Sequence, residues 1–142
     1  MGIHLIKLAV GIDSVEHLCA VQRQKRRQTA TSGKGGRLRH ITRNMPRRAH
    51  EILEDGSLYW VIRGRVQARQ RIVAIETITG LDRVDRCALI LDSSLVTTIP
   101  LRMRAFQGWR YLSKFDAPPD LGGSTHSLPD TIVAELQELG LL

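Results

Sequence analysis

The chain has 142 residues, a formal net charge of +7, 42% hydrophobic and 25% charged residues. That is the composition of one globular domain with a core of its own, and it excludes a disordered polyelectrolyte. Two cysteines, Cys19 and Cys87, without a CxxC partner exclude a zinc ribbon and a disulfide framework, and no apolar run is long enough for a membrane helix.

The charge is uneven. Between Arg23 and Arg71 there are fourteen Lys and Arg against three acids, a local +11; the rest carries seven against eleven, or −4. A basic centre between acidic flanks suits a polyanionic partner such as RNA or DNA. Seventeen of the 21 cations are arginine, which forks onto phosphates and stacks on bases. The start "MGIHLIKLAV" is too short an apolar run for a signal peptide and is broken by Lys7. Reduced thiols and a cytoplasmic location follow as expectations.

In chain order, residues 3–10 read as a strand from their β-branched content. "DSVEHLCAVQRQKRRQ" reads as a helix capped by Asp13, with Glu16 closing a capping box and Arg23, Lys25, Arg26 and Arg27 at its basic end. A flexible basic loop follows near 28–36. "RLRHITRN" is a second strand, with Leu38, His40 and Thr42 on one side and Arg39 and Ile41 on the other. "PRRAHEILEDG" is a short helix with Pro46 in its first turn, Gly56 at its end and Met45, Ala49, Ile52 and Leu53 on its apolar side. A long extended section runs through "SLYWVIRGRVQARQRIVAIETI", with Gly64 as a bulge or a turn. "RCALILD" is a buried strand, and a further strand lies around Leu95 to Ile99. Residues 128–140 read as a C-terminal helix capped by Ser127. The sum is a single α+β domain over 1–142: a small mixed sheet or β-barrel with about three flanking helices.

"TSGKGGRLRH" has the glycines of a phosphate-binding loop, but it follows a helix and leads into a strand, with Arg39 and His40 where Lys-Thr would be needed. Nucleotide hydrolysis is not expected of it. The five histidines form no ligand pair on one helix face, so no metal or other cofactor is expected.

"IRGRVQARQRI" is the most informative stretch. Arg63, Arg65, Arg69 and Arg71 hold odd positions in a strand-like alternation, and side chains two apart on one strand face are about 6.6 Å from each other. That spacing lets a row of guanidinium groups track successive phosphates. A solvated sheet face, or pairing with Glu76, Asp82, Asp85 or Asp92, produces the same pattern. Val73 and Ile75 continue the same parity as apolar residues. Arg47 and Arg48 at the start of the short helix extend the basic surface. Tyr59, Trp60, Phe106, Trp109 and Tyr111 are five of the six aromatics and lie near Arg63, Arg104 and Arg110 in sequence, an interleaving suited to base stacking. Trp60 shares parity with Ile62 and is expected in the core. Trp109, beside Gly108, is the better candidate for stacking.

"HLIKLAVGIDSVEHL", "HITRNMPRRAHEIL", "GSLYWVIRGRVQARQRI", "LILDSSLVTT" and "FQGWRYL…DAPPDLG" resemble a bacterial family, domain-of-unknown-function family 1489, over most of the chain. "RQKRRQTATSGKGGRLR" departs from its pattern as a variable connection, and "LRMRAF" is less Pro-rich than that pattern. The resemblance implies no catalytic residues. The order short helix, "GSLYWVI", Gly, long strand, "LILD" also resembles PUA-like domains of the ASCH and EVE types, which implies a small barrel that binds RNA or modified bases.

The expected function is a non-enzymatic nucleic-acid-binding domain. Arg47, Arg48, Arg63, Arg65, Arg69 and Arg71 would hold phosphates, with Arg110 nearby; Tyr59 and Trp109 would stack a base, and Gln107 would read its edge. A small enzyme on a phosphorylated or nucleobase-containing substrate is the second class. It would gather His40 or His50, Asp92 or Asp116, and the arginines in one pocket. A homodimeric interaction module joined along the long strand is the third.

Overall fold

The computed structural model describes residues 2–31 and 37–121. Its elements are β1 (Ile3–Leu8), α1 (Val15–Thr31), β2 (Leu38–Thr42), α2 (Ala49–Asp55), β3 (Ser57–Ile62), β4 (Arg65–Thr79), β5 (Asp85–Arg102) and β6 (Trp109–Ser113). The six strands form one open sheet in the order β2-β5-β4-β3-β1-β6. Only the β1–β3 pair is parallel. The α+β class and mixed sheet are as expected, but the sheet is not a closed barrel. Two helices flank it among the described residues; the third expected helix, 128–140, lies outside them. Residues 28–31 end α1 instead of opening the basic loop, and 32–36 lie outside the described residues.

The sheet buries both faces. The inner face joins Leu5, Leu38, Trp60, Ile72 and Leu89 with Leu18 of α1 and Ile52 of α2, and Trp109 packs at its margin, so every strand contributes. The outer face carries a smaller cluster of Ile6, Tyr59, Val61, Val66, Phe106 and Leu112. This explains "SLYWVI", where no polar alternation occurs: β3 lies between β4 and β1 and is buried at all six positions. The two edge strands, β2 and β6, come together at one corner without pairing. Trp109 Nε1–H donates to the Asn44 carbonyl at 2.9 Å, and the Arg48 N–H donates to Tyr111 Oη at 3.2 Å.

The local signals are met with small displacements. Ser14, not Asp13, caps α1: its Oγ accepts the His17 N–H at 3.0 Å, while the Asp13 N–H donates to His17 Nδ1 at 3.1 Å. Pro46 stands two residues before the N-cap of α2, Arg48, and is fully buried; Met45 is exposed instead of packing with Ile52. Gly56 ends α2 where a Cβ would lie 2.4 Å from the Ile52 carbonyl oxygen and 2.6 Å from that of Ile3, so only glycine fits this approach. The two separate strands expected in 86–99 are one 18-residue strand, β5.

Candidate functional site

Gly64 is a turn. Arg63 and Gly64 have φ of 51° and 76°, and Ile62 pairs with Arg65, the two-residue hairpin of type I′ geometry. Arg63 therefore leaves the strand. Further along, Val61 pairs with Val66 but Trp60 pairs with Ala68, so Gln67 is an extra residue in β4, a bulge. Its side chain is used locally, Nε2 donating to the Ile62 carbonyl at 2.7 Å.

The bulge breaks the arginine line. Arg69 and Arg71 lie opposite Tyr59 and Ser57 on the outer face, whereas Arg65 lies opposite Ile62 on the inner one. Val73 is a second extra residue, between the Ile72–Leu91 and Ala74–Ile90 pairs, and it returns Ile75 to the inner side opposite Leu89. The expected single ledge is in fact a turn residue, one inner-face arginine and two outer-face arginines. Three of the four are also paired to acids. Arg63 meets Asp13 at 3.3 Å, Arg71 meets Asp55 at 3.3 Å, and Arg69 grips Asp120 with two bonds of 2.6 and 2.7 Å.

Arg69 defines an outer cleft of about 440 Å³, lined also by His4, Asp55, Ser57, Tyr59, Lys114 and Asp120. Here Arg69 also donates to Ser57 Oγ at 3.1 Å, and His4 Nδ1 accepts the Ser57 N–H at 3.0 Å. The hydrogen bonds from Arg69 hold the Asp120 carboxyl below its usual range, and burial lowers the His4 pKa, helped by the Arg69 charge. Two cations face two acids, so the cleft is charge-compensated.

The inner side is different. At the corner where β2 and β6 approach, Lys7, Ile41, Thr42, Arg43, Asn44, Gln107, Gly108 and Trp109 line an edge cleft of about 430 Å³ that contains no acid. Lys7 shares the inner parity of Ile3 and Leu5 on β1, and it pairs in register with Trp60 and Trp109. Lys7 also lines a second inner cavity, between α1 and the sheet, whose wall includes His40 and Trp60. The His40 ring meets Trp60 edge to face at 5.0 Å. Burial, with Lys7 and Lys25 adding positive potential, pushes the His40 pKa down to about 4. Beneath them Gln70 and Gln22 exchange two amide hydrogen bonds of 2.9 and 2.8 Å, Trp60 Nε1–H donates to Gln70 Oε1 at 3.1 Å, and Gln70 Nε2 donates to the Asp92 carbonyl at 2.7 Å. This fully bonded buried network ties α1 to the sheet.

The sequence-derived site residues thus fall in separate places. Gln107 and Trp109 come together in the edge cleft. Tyr59 and Arg69 share the outer cleft. Arg110 lies on the outer side, 4.7 Å from the Phe106 ring. Arg48 is forked onto Glu51 at 2.5 and 2.8 Å, and Arg47 is exposed beside it. The residues proposed for an enzyme do not converge: His40 is in the inner cavity, His50 is exposed on α2, Asp92 accepts the Ser94 N–H at 2.9 Å, and Asp116 is exposed after β6. Lys7 and Arg43 were not singled out from sequence. The signal for Lys7 was there, a lysine sharing the parity of the apolar Ile3 and Leu5. Among the described residues no group of three His, Cys, Asp or Glu side chains could hold a metal ion, and no helix is long and apolar enough to cross a membrane.

The fold and these clefts define an α+β protein built on an open, rolled mixed sheet with an acid-free, cation-lined opening at its corner. The model of the family described as "Protein of unknown function (DUF1489)" matches residues 5–142, and the chain belongs to that family. No curated protein and no solved structure matches the chain.

Proposed function

We propose that the protein is a non-enzymatic nucleic-acid-binding domain whose contact surface is the edge cleft and not the arginine strand. The observation that carries this reading is the meeting of Trp109 and Gln107 with Lys7 and Arg43 in a cleft without an acid. Trp109 is half-buried, held by its bond to Asn44 and by Tyr111 edge to face at 5.0 Å, so its ring is fixed before a base arrives. A nucleotide whose base stacked there would present the base edge to Gln107 and its phosphate to Lys7 and Arg43. Single-stranded RNA or DNA fits this better than a duplex, because stacking on a side chain requires an unpaired base. The rolled sheet with a ligand opening at its corner supports a PUA-like architecture in an open form. The free thiols of Cys19 and Cys87 support a cytoplasmic setting.

The test is a fluorescence titration of the protein with short single-stranded RNA and DNA at increasing salt. Binding is expected at low salt and falls steeply as salt rises, because phosphate contacts release counterions. Absence of binding to both at low salt overturns the reading.

A further inference from the structure

The second inner cavity has a chemistry of its own. It measures about 190 Å³ and lies between α1 and the sheet. Ile12, Leu18, Val21, Leu38 and Leu91 supply apolar wall; its charged lining residues are Lys7, Lys25 and Arg39, with no Asp or Glu. Lys7 is half withdrawn from water, and burial lowers its pKa. It has no acid within ion-pair distance among the described residues. A partly desolvated ammonium without a counter-ion is unfavourable, and an anion from solution would relieve it. Size sets a second limit. An apolar cavity of about 150 Å³ takes up benzene. The present one therefore has room for one six-membered ring with a carboxylate, and not for a nucleotide. Val10 at its mouth is 86% exposed, so the lining is reachable from solvent.

We propose that this cavity is a binding site for a small carboxylate with an apolar body of about one ring, the carboxylate at Lys7 and the body against Leu18, Val21 and Leu38. The site is independent of the nucleic-acid reading, although Lys7 borders both openings.

Benzoate is the probe, and benzamide, with the same shape and no charge, is the control. The full chain is titrated with each while the His40 ring resonances and the binding heat are followed. Benzoate is expected to bind in the millimolar range, to shift His40, and to bind about ten-fold or more tighter than benzamide. Lys7→Met is expected to bring benzoate to the benzamide level. Val21→Phe fills the cavity from α1 and is expected to abolish the benzoate-induced His40 shift while leaving oligonucleotide affinity unchanged, since Gln107 and Trp109 are untouched. If Val21→Phe fails to fold, the Lys7→Met comparison decides alone. Equal affinity for benzoate and benzamide, benzoate binding unaltered by either variant, or no benzoate binding overturns the proposal. Loss of oligonucleotide binding with benzoate binding retained would overturn only the nucleic-acid reading.

Discussion

The two sides of the sheet handle charge in opposite ways. On the outer side, the cations that look most like a ligand site are already satisfied: Arg69 by Asp120 and Ser57, Arg71 by Asp55. On the inner side, the Gln22 and Gln70 amides and the Trp60 N–H satisfy one another, His40 Nε2 is buried without a hydrogen-bond partner among the described residues, and Lys7, Arg39 and Arg43 at the openings meet no acid there. Arginine count therefore does not by itself show which face carries unpartnered charge. What marks a surface for an anion is charge left without a partner, and by that measure three cations of the inner openings, Lys7, Arg39 and Arg43, stand out from the acid-paired arginines Arg63, Arg69 and Arg71.

The contrast can be broken in several ways, the largest expected effect first. Gln70→Leu removes the hub of the inner network and leaves Gln22, the Trp60 N–H and the Asp92 carbonyl without their partner. It is expected to cost about 3 kcal/mol in denaturant unfolding. Asp120→Asn in the outer cleft is expected to cost about 1 kcal/mol or less, because both partners are partly exposed, with side-chain exposures of 27% and 36%. Equal losses would contradict the contrast.

Acid distinguishes His40 from Asp120 by pH window. His40 has a folded pKa of about 4 against an ordinary value of 6.5, so the unfolded chain takes up its proton first. Stability is then lost as pH falls from about 6.5 to about 4, by roughly 3 kcal/mol for this group. His4, lowered for the same reason, adds to that window from the outer side. Asp120, with a lowered carboxylate pKa, contributes stability that is present above the ordinary carboxylate range and disappears only below it. His40→Phe is expected to flatten the upper window, and Asp120→Asn the lower one, in urea titrations across pH. A pH profile unchanged by His40→Phe would show that His40 is not held neutral by the fold.

Binding variants should separate the faces too. Trp109→Ala is expected to weaken single-stranded RNA or DNA binding by about ten-fold or more, the worth of one stacked base. Tyr59→Phe, on the outer side, should leave affinity unchanged. The smallest effect is in salt dependence: Lys7→Met is expected to lower the slope of log affinity against log salt by about 1, and Arg69→Met to leave it alone. A reduced slope for Arg69→Met would restore the arginine strand as a phosphate contact.

Most elements were legible because their signals are local. The parity of Leu38, His40 and Thr42, the apolar side of α2 and the burial of Trp60 follow from period and composition. The arginine line was misread because a bulge at Gln67 and another at Val73 each change parity without any mark in the alternation. Gly64 signals a turn or a bulge, but alone it does not distinguish the two, and nothing in the sequence marks Arg63 for the positive φ it adopts. The pairing of Arg69 with Asp120 spans 51 positions in the chain and has no local signal. The edge cleft required knowing that β2 and β6, at opposite ends of the sheet order, come together, which is a property of how far the sheet rolls.

The most direct measurement is a chemical-shift map of the uniformly labelled protein titrated with a short single-stranded RNA at low salt. The largest shifts are expected at Lys7, Arg43, Gln107 and Trp109, with Tyr59, Arg69, Arg71 and Asp120 unmoved. Shifts centred on Arg69 and Tyr59, or no shifts at all, would contradict the assignment of the edge cleft as the nucleic-acid contact surface.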